Sequence, residues 1–96
     1  MEVSTNAQKK RLKSLAHSLK PVVMIGQQGL KETIQAEIDT ALSFHQLIKL
    51  KVAVGDRDVR NEMINTIAKN NQAELIQRIG NIAVLYKRNK KKSSLL

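Results

Sequence analysis

The sequence predicts an α/β protein of the two-layer α+β kind, in which helices pack on one mixed four-stranded sheet. Two observations predict this class. Apolar residues recur at helical spacing in three segments, and four short segments are apolar or alternate in the manner of strands. The resulting order is α-β-α-β-α-β-β. Short β-α-β connections favour right-handed crossovers, so the first two strands are expected to be parallel and the closing hairpin antiparallel.

The first half of the chain is predicted to hold two helices and two strands. Residues 8–19 carry an apolar stripe at helical spacing, and Pro21 ends this helix because the residue before a proline disfavours the α conformation. The apolar run at 22–25 predicts a short buried strand. A second helix follows over 30–43. Residues 46–53 alternate strictly, which predicts a half-exposed strand.

The second half is predicted to hold one helix and a hairpin. Residues 55–58, GDRD, form a turn with N-cap chemistry, and the helix that it opens extends to about Asn70. Two strands, 73–79 and 82–86, are joined by the pair 80–81, Gly-Asn, which is a two-residue hairpin signal. The last strand is apolar throughout, so it is expected at the centre of the sheet.

The charge balance points to a polyanionic partner. The chain of 96 residues has 17 Lys+Arg against 8 Asp+Glu and a formal net charge of +9. Such a surface attracts nucleic acid or an anionic membrane. The remaining alternative is a basic protein that has no polyanionic partner. No apolar run approaches the ~20 residues of a membrane span, and the N-terminal sequence lacks a signal-peptide core. We expect a cytoplasmic protein with no membrane contact.

The carboxyl-terminal segment is expected to lie outside the domain. Apolar periodicity ends at residue 86, so the sequence predicts a domain over 1–86 and a basic flexible tail over 87–96. The tail opens with Lys87 and Arg88 in the densest run of charge, which makes both candidates for contact with nucleic acid. Its removal is expected to leave the fold nearly unchanged.

A glycine loop is the sharpest local pattern. The first strand stops at Gly26 and Gly29, which bracket Gln27 and Gln28, and a helix opens at Lys31. A strand that turns through two glycines into a helix N-terminus presents backbone N–H groups to a phosphate. The alternative is that the glycines only make a tight turn. The Gly-Lys-Ser/Thr of a P-loop and the third glycine of a dinucleotide fingerprint are both missing.

Lysines on two elements are candidates to supply the positive charge that this loop lacks. Lys9 and Lys13 share one face of the first helix, and Lys20 lies just beyond its end. Lys49 and Lys51 share the outer face of the second strand. Taken alone, these two lysines are more typical of a solvated strand face than of a binding site.

Three arginines complete the candidate set. Arg57 and Arg60 lie in the first turn of the third helix, where cations are unfavourable for the helix dipole, so local stability does not explain them. Arg78 joins the lysines on the outer face of the sheet if Leu75 and Ile79 face inward.

No pattern indicates catalysis or metal binding. The chain has no cysteine, and its two histidines, His17 and His45, lie far apart in sequence without a carboxylate cluster. No serine has a predicted base and acid beside it. We therefore expect no enzyme activity, no metal, no cofactor and no small-molecule substrate.

Taken together, these residues resemble the CRM domain (chloroplast RNA splicing and ribosome maturation), and most closely its stand-alone bacterial form, the YhbY family. The resemblance covers roughly 8–86. It rests on LAHSLKPVVMIGQQGL at 15–30, on LIKLKV at 47–52, on the turn at 56–57 and on IGNIAVLY at 79–86.

The resemblance implies a fold similar to the C-terminal domain of translation initiation factor 3, with sheet order 1-2-4-3. It also implies RNA binding through the loop from Gly26 to Gly29 and, for bacterial members, association with precursors of the large ribosomal subunit. One departure is that the family commonly continues its last strand with Tyr-Arg-Pro, whereas this chain has Tyr86-Lys87-Arg88. A more basic and more mobile tail is expected.

These arguments predict a monomeric RNA-binding protein that acts on ribosomal RNA during large-subunit assembly. Few aromatic residues are present, so phosphate contacts rather than base stacking are expected to dominate affinity. Two alternatives remain open at this stage. One is a protein-interaction module that docks on an acidic ribosomal or assembly partner, and the more remote one is an enzyme acting on RNA.

Overall fold

In a computed structural model of the chain, which describes residues 4–96, the elements follow one another in the predicted order. They are α1 (Asn6–Ala16), β1 (Val23–Ile25), α2 (Glu32–His45), β2 (Leu47–Val52), α3 (Arg57–Asn70), β3 (Glu74–Ile79) and β4 (Ile82–Tyr86). The strands form one sheet in the order β1-β2-β4-β3. β1 is parallel to β2, and β4 is antiparallel to both of its neighbours. The predicted class, mixed sheet and strand order are confirmed.

The helices lie on both faces of this sheet. Side chains alternate along a strand, so β2 and β4 present apolar residues to both sides. On one face α2 and α3 cover the larger core, which contains Ile38, Leu42, Ile64 and Ile67. On the other face α1 packs Leu12 and Ala16 against side chains of β2, β3 and β4, namely Leu47, Ile76, Val84 and Tyr86. The sheet with α2 and α3 forms the two expected layers, and α1 adds a third.

Two of the helices begin with a side-chain cap. The Thr5 hydroxyl accepts from the Gln8 backbone N–H at 3.2 Å while the Gln8 side chain accepts from the Thr5 N–H at 2.9 Å, which is a capping box. Asp56 caps α3 by accepting from the Val59 N–H at 2.9 Å. In contrast, α2 begins after Lys31, whose side chain makes no capping hydrogen bond.

A β-bulge interrupts β3. Leu75 lies opposite Leu85, and the next pair joins Gln77 to Val84, so Ile76 is an extra residue on one strand only. Ile76 is buried against α1, which anchors the bulge in the smaller core.

The bulge decides which side chains β3 exposes. Beyond it, Arg78 lies opposite Ala83, which belongs to the core under α2 and α3, and Ile79 lies opposite Ile82 on the face that carries α1. The expectation that Arg78 joins Lys51 on one face, with Ile79 inward, is therefore wrong. Ile79 is 65% exposed.

The carboxyl-terminal segment folds back over the end of α2. This segment contacts Gln46, a buried residue directly after α2 with φ of 65°. The Gln46 Oε1 accepts from Arg88 Nη1 at 2.8 Å and from the Asn89 N–H at 3.0 Å, and its Nε2 donates to the Ser93 carbonyl at 2.8 Å. Leu95 packs beside the α1 core. The sequence does not predict these contacts of the carboxyl-terminal segment. They form because the buried side-chain amide of Gln46 requires hydrogen-bond partners, which this segment supplies.

Candidate nucleic-acid interface

The glycine loop, the start of α2 and the start of α3 lie at one end of the sheet. Parallel pairing puts the last residues of β1 and β2 side by side, and the Ala53 N–H donates to the Ile25 carbonyl at 2.8 Å. The β3–β4 turn joins them, because the Val52 N–H donates to the Asn81 carbonyl at 2.7 Å. We call this the loop end of the sheet. Ligands of open α/β sheets bind at this end of the strands.

The two glycines of the loop have different physical roles. The Gly29 N–H donates to the Gly26 carbonyl at 3.2 Å, which closes a tight turn, and Gly29 has φ of +85°. Gly26 has no such φ. A Cβ at Gly26 would lie 3.1 Å from the Gln28 side-chain oxygen. Gln27 and Gln28 are exposed, so the turn presents two amide side chains to solvent.

The start of α2 is suited to an anion. Lys31 is exposed and has an extended backbone (φ −87°, ψ 161°), so it positions the first turn without capping it. Among the described residues, no side chain accepts from the N–H groups of that turn. These groups carry the positive end of the helix dipole, and a phosphate oxygen is a suitable acceptor for them.

The two arginines of α3 are placed differently. Arg57 is exposed at the first position of the helix and has no ion pair within residues 4–96. Arg60 is half-buried, and its Nη1 donates to the Val54 carbonyl at 3.0 Å. Arg57 is therefore positioned to reach a ligand at the loop end, while Arg60 holds the turn that follows β2.

The five candidate lysines on α1, after α1 and on β2 lie at different distances from the loop end. Lys13 and Lys49 lie together with His17 around a hollow of about 180 Å³, and Lys51 is exposed on the side nearer the loop end. Lys20 is exposed beyond the end of α1. Lys9 lies further back, where its Nζ is 3.9 Å from the Glu74 carboxylate.

Lys87 and Arg88 lie at the opposite end of the sheet. The Lys87 N–H donates to the Gln46 carbonyl at 2.8 Å, and the Arg88 guanidinium is engaged by the Gln46 side chain. The structure therefore does not bring these two residues to the glycine loop.

Sequence reasoning missed exposed apolar residues on the first and third strands. The prediction that the run 22–25 is buried is wrong in part: Val22 is 48% and Met24 62% exposed, because β1 is an outer strand with only one covered face. Ile79 is exposed because of the bulge. The shortness of the first strand is the sequence feature that indicates the exposure of Met24. Nothing in the sequence indicates the bulge that exposes Ile79.

Two further properties concern residues 4–96 as a whole. They contain no cluster of three or more His, Asp or Glu side chains arranged to hold a metal ion. Their helices are also too short or too polar for any of them to span a bilayer.

The geometry defines a class: a mixed-sheet α/β protein with a glycine turn, an uncapped helix start and cations at one end. Residues 5–87 match the family model of the CRS1 / YhbY (CRM) domain. The chain belongs to this family, as the sequence predicts.

Its relatives cover nearly the whole chain. A Haemophilus influenzae protein named "RNA-binding protein" is 48% identical over 87 residues, which are 91% of this chain and 88% of the relative. A Bacillus subtilis protein named "probable RNA-binding protein" is 33% identical over 91 residues, or 95% of both chains. The solution structure of a Staphylococcus aureus protein superimposes with a TM-score of 0.82 at 34% identity, again over 95% of both. The fold is thus shared with this Staphylococcus aureus protein.

Proposed function

We propose that this protein binds RNA and that the loop end of its sheet is the centre of the contact. The observation that carries the proposal is the uncapped start of α2 directly after the tight turn from Gly26 to Gly29. Lys31 and Arg57 add exposed positive charge at the same end, on a chain of net charge +9. Membership of the CRM family, whose curated relatives are named for RNA binding, supports RNA as the polyanion.

The RNA that we propose is ribosomal RNA in precursors of the large ribosomal subunit. The resemblance to stand-alone bacterial YhbY proteins supports this part of the proposal. The protein would act in the cytoplasm as a monomer, by binding and not by catalysis. Ultraviolet crosslinking in cells, followed by sequencing of the bound RNA, should enrich large-subunit precursor sequences. Reads spread evenly over messenger RNA would contradict the ribosomal assignment.

The loop contact is tested by placing negative charge on the turn. The double variant Gln27→Glu/Gln28→Glu keeps both glycines and changes two exposed side chains, so the protein should fold normally. Repulsion between the new carboxylates and an RNA phosphate should lower affinity on the order of tenfold. Fluorescence anisotropy with a labelled ribosomal RNA fragment measures the dissociation constant.

The matched control adds the same charge elsewhere. Thr40→Glu/Thr66→Glu changes two exposed helical positions in the middle of α2 and α3, and it lowers the net charge by the same two units. A clearly smaller loss in this control is expected. If both double variants lose equal affinity, only net charge matters and the glycine loop is merely a turn.

A further inference from the structure

One row of side chains on the α1 face of the sheet has no helix over it. Met24 lies beside Lys51, Lys51 is opposite Ile82, and Ile82 is opposite Ile79, so the row crosses all four strands. We call these four residues the open row. Leu12 and Ala16 of α1 cover the rows nearer the other end of the sheet, and the helix ends at Ala16.

The apolar side chains of the open row are largely exposed. Met24 and Ile79 are 62% and 65% exposed, and Ile82 is half-buried between Lys51 and Ile79. Single exposed apolar residues are ordinary on protein surfaces, but Ile79 and Ile82 are adjacent and both line a hollow, with Met24 beyond Lys51 on the other outer strand. Here the bulge in β3 places an isoleucine in the row where unbroken alternation would place an arginine.

The charge around the open row selects an anionic partner. The hollow of about 180 Å³ between α1 and the row is bordered by Lys13, His17 and Lys49, and Lys51 is part of the row itself. No carboxylate is among the residues that line this hollow. A partner that fits must carry negative charge and apolar surface close together, because Lys51 lies between Met24 and Ile82. An unpaired nucleic-acid segment has both, since its bases are not hidden inside a duplex.

The open row is continuous with the loop end. Only Ile25, whose side chain faces the core under α2 and α3, separates Met24 from Gly26. At the other side of the sheet, Ile79 and Ile82 flank the β3–β4 turn, which is hydrogen-bonded to the end of β2. An RNA strand whose phosphate meets the start of α2 can therefore reach the row by passing around the end of the sheet, since α2 lies on the other face.

We infer that the open row contacts the bases of an unpaired RNA segment while Lys13, Lys49 and Lys51 meet its phosphates. The inference rests on the proposed RNA-binding function and assigns its substrate class, unpaired rather than fully paired RNA. Aliphatic side chains cover part of a base face but lack the stacking of an aromatic ring. The row therefore adds selectivity for unpaired RNA to an affinity that phosphate contacts dominate.

The test compares two labelled RNAs with the same number of phosphates, an unstructured oligouridine and a fully paired hairpin. Ile79→Thr and Met24→Gln each remove apolar surface without changing the charge, at positions exposed enough for the fold to tolerate them. Each should lower affinity for the oligouridine on the order of fivefold and leave affinity for the hairpin within about twofold. Phe44→Gln is the control, because Phe44 is also 65% exposed but lies at the end of α2, away from the loop end.

The outcomes separate this inference from the proposed function. If the unmodified protein binds neither RNA, both fail. If it binds RNA but the two row variants bind oligouridine as the parent does, or lose both RNAs equally, the inference fails and the proposed function stands. A dimer in analytical ultracentrifugation that dissociates on Ile79→Thr would make a second copy the occupant and would also overturn it.

A crosslinking measurement on the unmodified protein avoids any dependence on the folding of variants. Oligouridine that contains 4-thiouridine forms crosslinks from the base, so mass spectrometry of the digested complex locates base contacts. Crosslinks in the peptides that contain Met24 or residues 79–82 are expected. Crosslinks confined to other peptides would overturn the inference.

Discussion

Lys31 and Asp56 occupy the same N-cap position of α2 and α3, yet only Asp56 caps its helix. The Asp56 carboxylate accepts from the Val59 N–H at 2.9 Å, whereas the Lys31 side chain has no acceptor atom. The backbone of Lys31 is already extended, as in a capping residue. The sequence therefore forgoes stabilisation of about 1 kcal/mol at the start of α2 and leaves its N–H groups available to a ligand.

Lys31→Ser should make the protein more stable and a weaker RNA binder. The serine hydroxyl can accept from the first turn of α2, and Lys31→Ala removes the same charge without supplying an acceptor. In urea unfolding, the free energy of unfolding of Lys31→Ser should exceed that of Lys31→Ala by about 1 kcal/mol. RNA affinity should be lower in Lys31→Ser than in Lys31→Ala, since only serine competes for the N–H groups. Equal affinities would show that RNA does not use these groups.

Gly29→Ala and Gly55→Ala should change stability in opposite directions. A Cβ at either glycine meets no atom within 4 Å, so sterics with other residues do not distinguish them. Gly29 has φ of +85°, where alanine is strained by about 1–2 kcal/mol, while Gly55 is outside the positive-φ region. Gly55→Ala should stabilise by about 0.4–1 kcal/mol through the unfolded chain. Thermal unfolding of both variants is the measurement, and equal shifts would contradict the assigned backbone conformation.

RNA affinity should fall steeply with salt. A chain of net charge +9 that neutralises several phosphates releases their counterions, so the dissociation constant should rise about tenfold or more between 50 and 200 mM salt. Lys51→Gln should reduce the slope of the logarithmic plot by somewhat less than one unit, because it removes one phosphate contact. A flat titration would exclude the electrostatic mechanism.

Truncation after Lys87 should lower stability, contrary to the expectation from the sequence alone. It removes Arg88, Asn89 and Ser93, which are the hydrogen-bond partners of the buried Gln46 side chain. A loss of about 1–2 kcal/mol is expected in urea unfolding, because a buried amide loses its partners. Lys90→Gln/Lys91→Gln is the control, since both residues are exposed and their side chains make no hydrogen bonds in the described structure. An unchanged midpoint on truncation would restore the idea of a detached tail.

The sequence predicts local conformation better than it predicts partners across the fold. The turn from Gly26 to Gly29 and the cap at the start of α3 follow from residue type and order, and both are present. The strand order came from the resemblance to a family, because spacing alone allows several orders. The alternating pattern predicts the wrong faces for Arg78 and Ile79, because nothing in the sequence marks the extra residue in β3. The sequence does not reveal the role of Gln46, because it predicts this residue as the polar first position of a half-exposed strand.

The bulge at Ile76 also affects how copies of the protein meet one another. β3 is an outer strand of the sheet, so one of its edges has no neighbouring strand, and Ile79 exposes apolar surface at its end. An unpaired edge beside an exposed isoleucine is the arrangement from which intermolecular sheets grow. An interrupted, more strongly twisted edge is a poor template for another strand. The same extra residue that displays Ile79 is thus expected to disfavour the addition of another strand at that edge.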